Sequence, residues 1–131
     1  MRNQRQPLLW FPLWFFFGSC LAGIVIYLSL TSKPLPSTDI VFSDKFGHFL
    51  AYFALVFWFA QLYLQKHHGL LVLLFVLMGA LLEVAQSQTS YRTFQYADML
   101  ANTVGAALGW LLAKTRCSEL LLQTEQRLLR R

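Results

Sequence analysis

The sequence predicts an all-α integral membrane protein, a helical bundle with about four transmembrane helices and a short C-terminal amphipathic helix. Four apolar stretches, at about residues 8–30, 46–64, 69–85 and 94–113, each approach the roughly 20 residues a helix needs to cross the hydrocarbon core. Of the 131 residues, 56% are hydrophobic and 13% charged, and mean hydropathy is +0.48. A soluble domain carries about 25% charged residues. The connections between the apolar stretches are short, which leaves no room for a second domain.

The first stretch follows Arg2 and Arg5, as in a signal peptide, and Phe17-Gly18-Ser19-Cys20 faintly resembles a lipoprotein cleavage box. Phe17 fits that box poorly, and the apolar run continues past Cys20 to Leu30. It is therefore read as a retained anchor. Pro34 and Pro36 mark an extended loop over residues 31–43. The second stretch ends in a tight turn at 65–68, and a polar loop at 87–93 joins the third to the fourth. Beyond residue 115 the tail reads helical, with Cys117, Leu120, Leu121, Thr124 and Leu128 near one face. It could lie on the inner membrane surface, attracted to anionic lipid, or stand solvated and partly frayed.

Lys and Arg placement sets the topology. With the N-terminus inside, Arg2, Arg5, Lys66, Lys114, Arg116, Arg127, Arg130 and Arg131 are cytoplasmic, and Lys33, Lys45 and Arg92 are outside. The chain then divides into a cytoplasmic N-terminus (1–7), a four-helix transmembrane domain (8–113) and a basic cytoplasmic tail (114–131). The net charge of +5 reads as membrane orientation, and no nucleic-acid partner is expected. Cys20 and Cys117 fall at different depths, so neither a disulfide nor a cysteine metal cluster is expected. No metal and no cofactor is expected elsewhere, and His67 and His68 read as turn residues.

This topology places every strongly polar residue within or bordering helices 2 to 4 towards one membrane face. Asp44, Lys45, His48 and Tyr52 open helix 2, Glu83 and Gln86 close helix 3, Arg92 lies in the outer loop, and Asp98 and Asn102 open helix 4. Asp44, His48 and Tyr52 recur every four residues, as do Asp98 and Asn102, while Glu83 and Gln86 are three apart. Each set therefore shares a helix face. Ionisable groups inside a bilayer cost about 2.5–3.5 kcal/mol at mid-membrane, so the three faces should turn towards each other or a watery pocket.

Most of these residues also admit a plainer role. Asp44 and Asp98 could be N-caps, and Lys45 could snorkel to the headgroups. Tyr52 could be a belt or core aromatic, Asn102 an interhelical hydrogen-bonder and Arg92 a solvated loop charge. Glu83 lies below the headgroups near a helix C-terminus, where the dipole opposes it. It needs a partner, and Lys45, His48 and Arg92 are the natural ones. Gly105 and Gly109 form a G-x-x-x-G pair suited to close packing of helix 4 within the chain, with dimerisation the alternative.

These residues carry a resemblance. Asp44-Lys45, His48 and Tyr52 resemble the D-K-x-x-H-x-x-x-Y opening of the VanZ-like family. Glu83 and Gln86 resemble its E-x-x-Q, and Arg92, Asp98, Asn102 and Gly105 resemble its R…D-x-x-x-N-x-x-G segment. The resemblance spans residues 44–112. It implies a multi-pass protein of the bacterial inner membrane, in a family named for a member linked to low-level teicoplanin resistance. Three functions follow as expectations. The first is an envelope accessory protein, including a glycopeptide-resistance factor, whose outward pocket binds an anionic lipid-linked cell-wall or polysaccharide intermediate. The second is a membrane enzyme acting on a polyprenyl-phosphate or glycan substrate. The third is a proton-linked transporter subunit. The expected partners are membrane lipids, that intermediate and, as an option, further copies of the chain.

Overall fold

The computed structural model describes residues 7–31 and 41–130, apart from the side chains of residues 41–43 and 116. Arg2, Arg5, Arg131 and most of the expected proline loop, with Lys33, lie outside the described residues. The helices are α1 (Phe11–Leu30), α2 (Val41–Leu62), α3 (His68–Ser87), α4 (Tyr96–Leu112) and α5 (Leu120–Leu129). Single 3-10 turns occupy Gln65–His67 and Arg116–Glu119, and no strand occurs among the described residues.

Three helical segments are long and apolar enough to cross a membrane: Phe11–Leu30, Asp44–Leu62 and Gln65–Ser87. The fourth apolar stretch forms α4, which has 17 residues and is not among these three. Polarity and helix boundaries do not coincide. Apolarity in the second segment begins at Phe46, whereas α2 already begins at Val41, which puts Asp44 in its first turn. Asp98 likewise lies inside the first turn of α4, behind the N-cap Gln95. Neither carboxylate is therefore an N-cap, although both sit where the helix dipole favours negative charge.

Adjacent helices alternate in direction. Early α1 meets late α2, where Trp58 Nε1 donates to the Trp14 carbonyl at 3.0 Å. The end of α1 meets the end of α3, where Gln86 Nε2 donates to the Ser29 carbonyl. Tyr91, just beyond α3, donates to the Leu30 carbonyl. The centre of the bundle is α2, whose Leu55 and Val56 are completely buried against Val25, Phe59 and Ala106. The outer face of α3 exposes Leu70, Leu73, Leu74, Leu77 and Leu81. An apolar stripe of that extent suits lipid rather than water.

The most extensive contact joins α2 to α4. A Cβ added at Gly105 would collide with the Phe49 carbonyl oxygen, and one at Gly109 would stand 2.5 Å from the Phe53 oxygen. The glycine pair thus lies directly against the α2 backbone, within one chain. Asp98, Asn102, Gly105 and Gly109 recur at spacings of four, three and four and are all buried. The stripe that seats α4 on α2 is therefore continuous with the polar residues at its start.

The tail is helical, as expected, and is docked onto the bundle rather than frayed. α5 is anchored by Glu125, which is 1% exposed. Its carboxylate accepts from the backbone N–H groups of Leu9 and Trp10, both at 2.9 Å, and from Trp14 Nε1 at 2.7 Å. The free N–H groups at the start of α1 thus take their acceptor from the far end of the chain. Gln61 Oε1 accepts from the Leu121 N–H at 3.2 Å. Ser118, Leu121 and Glu125 turn inward, while Leu120, Thr124 and Leu128 of the expected face are exposed. Gln61 also corrects the expectation that every strongly polar residue of helices 2 to 4 falls at one end, because it is buried at the opposite end. His68, expected in the turn, is the first residue of α3 and is buried there too, with Nε2 at 3.1 Å from the Tyr63 carbonyl.

Candidate polar site at the start of helices 2 and 4

The seating of α4 on α2 brings the first turns of both helices to the same level. Lys45 Nζ donates to Asp98 Oδ1 at 3.0 Å and to Gln95 Oε1 at 2.9 Å. The lysine is about one third exposed, whereas Asp98 is buried. His48 Nδ1 lies 3.2 Å from Asn102 Oδ1. Its other nitrogen, Nε2, stands 3.7 Å from Asp98 Oδ2 and 4.0 Å from Asp44 Oδ1. Arg92 Nη2 lies 3.8 Å from the same Asp44 oxygen. Asp44, Lys45, His48, Arg92, Asp98 and Asn102 therefore form one contiguous cluster. The stem of Lys45 is partly covered while its head reaches a buried carboxylate, so snorkelling alone does not describe it.

Glu83 reaches the cluster differently from expectation. Its Oε1 accepts from the backbone N–H of Gln95 at 2.7 Å, and none of its described contacts is with Lys45, His48 or Arg92. Gln95 is the N-cap of α4, so a carboxylate from α3 closes the start of α4, where the dipole favours it. Gln95 then passes the link onward through its side chain to Lys45. Sequence reading misses Gln95. The only available signal is its place one residue before the helix that carries Asp98.

Tyr52 sits one turn below His48 and is buried. A Cβ on Gly79 would stand 3.0 Å from Asn102 Nδ2 and 3.2 Å from the Tyr52 ring. The missing side chain of Gly79 thus lets α3 close over both residues. Gln86 is equally buried but points to α1, outside the cluster. The described titratable groups that could jointly hold a cation are Asp44, His48 and Asp98, whose ligand atoms all lie within 4.8 Å of one another. Cys20 and Cys117 are free thiols.

Comparison with known proteins gives the family but no reaction. The chain is similar to a Schizosaccharomyces pombe protein described as uncharacterized, with 33% identity over 97 residues. The match covers 69% of this chain and 60% of that protein, so the chain spans about three fifths of the relative's length. No solved structure matches. The VanZ/LLP1 family model matches residues 11–121, which include α1 as well as every polar residue of the cluster. By that match the chain, a protein with helices suited to spanning a membrane, belongs to the VanZ/LLP1 family.

Proposed function

We propose that the cluster is the mouth of an outward-facing pocket that binds the anionic headgroup of a lipid-linked envelope intermediate. One observation carries this reading. Lys45 and Arg92 are two partly exposed cations, Lys45 held by the buried Asp98 and Arg92 placed 3.8 Å from the more exposed Asp44. An ammonium and a guanidinium held in one cluster suit a phosphate, which can take a point charge and a fork of N–H donors together.

The topology that goes with this reading has four spans and both termini in the cytoplasm. α4 is the fourth span. At 1.5 Å per residue, its 17 residues reach about 25 Å, within the lower range for a crossing, and Leu100, Val104, Leu108 and Leu111 form its lipid-facing stripe. At the cytoplasmic end Lys114 covers the Trp110 ring at 3.6 Å, an interfacial pairing. α5 is an amphipathic surface helix, docked through Glu125 with Leu120, Leu128 and Leu129 towards lipid. Residues 1–7 and 114–131 flank the membrane domain on the inside. The setting is the bacterial inner membrane, the role is that of a cell-envelope accessory factor that extends to glycopeptide resistance, and membrane lipids or further copies are the other partners.

Binding to nanodiscs tests the reading. Wild-type protein should retain a polyprenyl phosphate at least tenfold better than the neutral polyprenol. The combined Lys45→Ala, Arg92→Ala variant should lose that preference. Equal retention of the two lipids by the wild type would remove the reading.

A second reading, a membrane enzyme, is favoured by the way Asn102 holds His48. There His48 would act as general base or acid in phosphoryl or glycosyl transfer, with Lys45 and Arg92 stabilising the developing oxyanion. Product formed from a labelled polyprenyl-phosphate substrate, and lost in His48→Ala, separates this reading from binding alone.

A further inference from the structure

The centre of the cluster holds three acceptors aimed at one point. Asn102 Oδ1 lies 3.2 Å from His48 Nδ1, and in the tautomer that carries its hydrogen on Nδ1 the amide oxygen accepts that hydrogen while Nε2 presents a lone pair on the opposite side of the ring. That lone pair looks at Asp98 Oδ2 at 3.7 Å and Asp44 Oδ1 at 4.0 Å. These gaps are too long for hydrogen bonds. The ligand atoms of Asp44, His48 and Asp98 all lie within 4.8 Å of one another, and a cation among them would offset the mutual repulsion of the two carboxylates.

We infer that Asp44, His48 and Asp98 bind a divalent metal ion, with Asn102 orienting the imidazole. The donor chemistry is one neutral imidazole and two carboxylates, a set that suits Zn2+ and Mn2+. Around tetrahedral Zn2+, bonds of about 2.0–2.1 Å space the ligand atoms by about 3.3 Å. The two gaps on His48 would therefore close by well under 1 Å on binding. The supporting shell is also present. A metal-ligating histidine normally donates its other N–H to a carbonyl or carboxylate, which is the position Asn102 takes. Lys45 binds the second oxygen of Asp98, leaving Oδ2 turned towards the histidine. Arg92 is the competing cation, since it approaches the Asp44 oxygen that faces His48, but it stops at 3.8 Å. Remaining coordination positions fall on the half-exposed Asp44 side, where water or a ligand oxygen can enter.

The site stands on this geometry alone, and its use for a headgroup rests on the reading given above. Two carboxylates (Asp98 and Asp44) are paired with the two basic side chains (Lys45 and Arg92), so the charges of these four groups balance. A divalent ion adds positive charge there and supplies a direct ligand for phosphate oxygen. On this account His48 is a ligand rather than a proton carrier.

Metal counting on the purified full chain in detergent tests the inference without any lipid, so its failure is separate from failure of the headgroup reading. Protein stripped with a chelator is equilibrated with Zn2+ or Mn2+, desalted and analysed for metal, and affinities are taken from titration. The expected result is about one Zn2+ per chain, with Mn2+ bound more weakly, following the usual order of divalent affinities. His67→Ala, at the exposed turn on the opposite end, should bind as the wild type does. Asp44→Asn and His48→Ala should bind at least tenfold more weakly. Asn102→Ala, which keeps all three ligands, should lose about 10–100-fold. Asp44 is 51% exposed on the first turn of α2, so its variant tests the site in a protein whose helicity, checked by circular dichroism, matches the wild type. No bound ion at about millimolar metal, or equal binding by the wild type and the helical Asp44→Asn protein, overturns the inference.

Discussion

Replacing Gly105 by alanine should separate α4 from α2 and cost most of the stability of the bundle. The added methyl would meet the oxygen, carbonyl carbon and Cα of Phe49, all backbone atoms of the central helix. No rotamer change relieves such a contact, so the helices must move apart along their whole seam. Overpacking a core commonly costs about 1–3 kcal/mol, and a clash between two backbones belongs at or above the top of that range. Gly47→Ala is the internal comparison. It lies on α2 with nothing within 4 Å of an added Cβ, and should be neutral or up to about 1 kcal/mol stabilising, because alanine is the better helix former. Thermal unfolding in one detergent would read both. A Gly105→Ala protein that melts with the wild type would show that α4 is not seated on α2 through this glycine.

Glu125→Ala should release α5 and fray the start of α1 together. The carboxylate takes three hydrogen bonds from partners more than 110 residues away, and it is buried. Removing it strands the N–H groups of Leu9 and Trp10 and the Trp14 indole. With each hydrogen bond to a charged group worth about 1.5–3 kcal/mol and the set not additive, a loss of about 3 kcal/mol or more is expected. Glu125→Gln should lose less. Its amide oxygen can still take the Trp10 and Trp14 donors that now meet Oε1, while its NH2 would face the Leu9 N–H. Faster amide exchange at Leu9 and Trp10 in Glu125→Ala, with a shift in tryptophan emission, would report the release. Unchanged exchange there would show that the first turn of α1 is held by something else.

These two residues also mark where the sequence is readable and where it is not. Gly105 and Gly109 are legible because four-residue spacing of glycine in an apolar helix has few physical uses. Asp44 with His48, and Asp98 with Asn102, are legible for the same reason, since periodicity fixes a shared face and the bilayer makes outward-facing charge costly. Glu125 is not legible. Its partners are two backbone N–H groups and an indole at the far end of the chain, and every residue offers a backbone N–H. Glu83 fails in the same way. Its side chain calls for a cation, and it takes the Gln95 N–H at the start of a helix. The tail shows a further limit. Its leucines suggest one face, but docking turns Leu121 and Glu125 inward and leaves Leu120 and Leu128 outside, because satisfying a buried carboxylate outweighs covering two leucines.

Lys45 and Asp98 form the central ion pair between the polar residues of α2 and α4. A double-mutant cycle on thermal stability in detergent, with Lys45→Met, Asp98→Asn and the two combined, measures that coupling. Removing the lysine alone leaves a buried carboxylate without its cation, so Lys45→Met should be clearly destabilised. Neutralising Asp98 as well removes that penalty, and the double variant should be less destabilised than the sum of the two single variants, by at least about 1 kcal/mol. Effects that simply add would mean that the two side chains do not meet, and would contradict the single site.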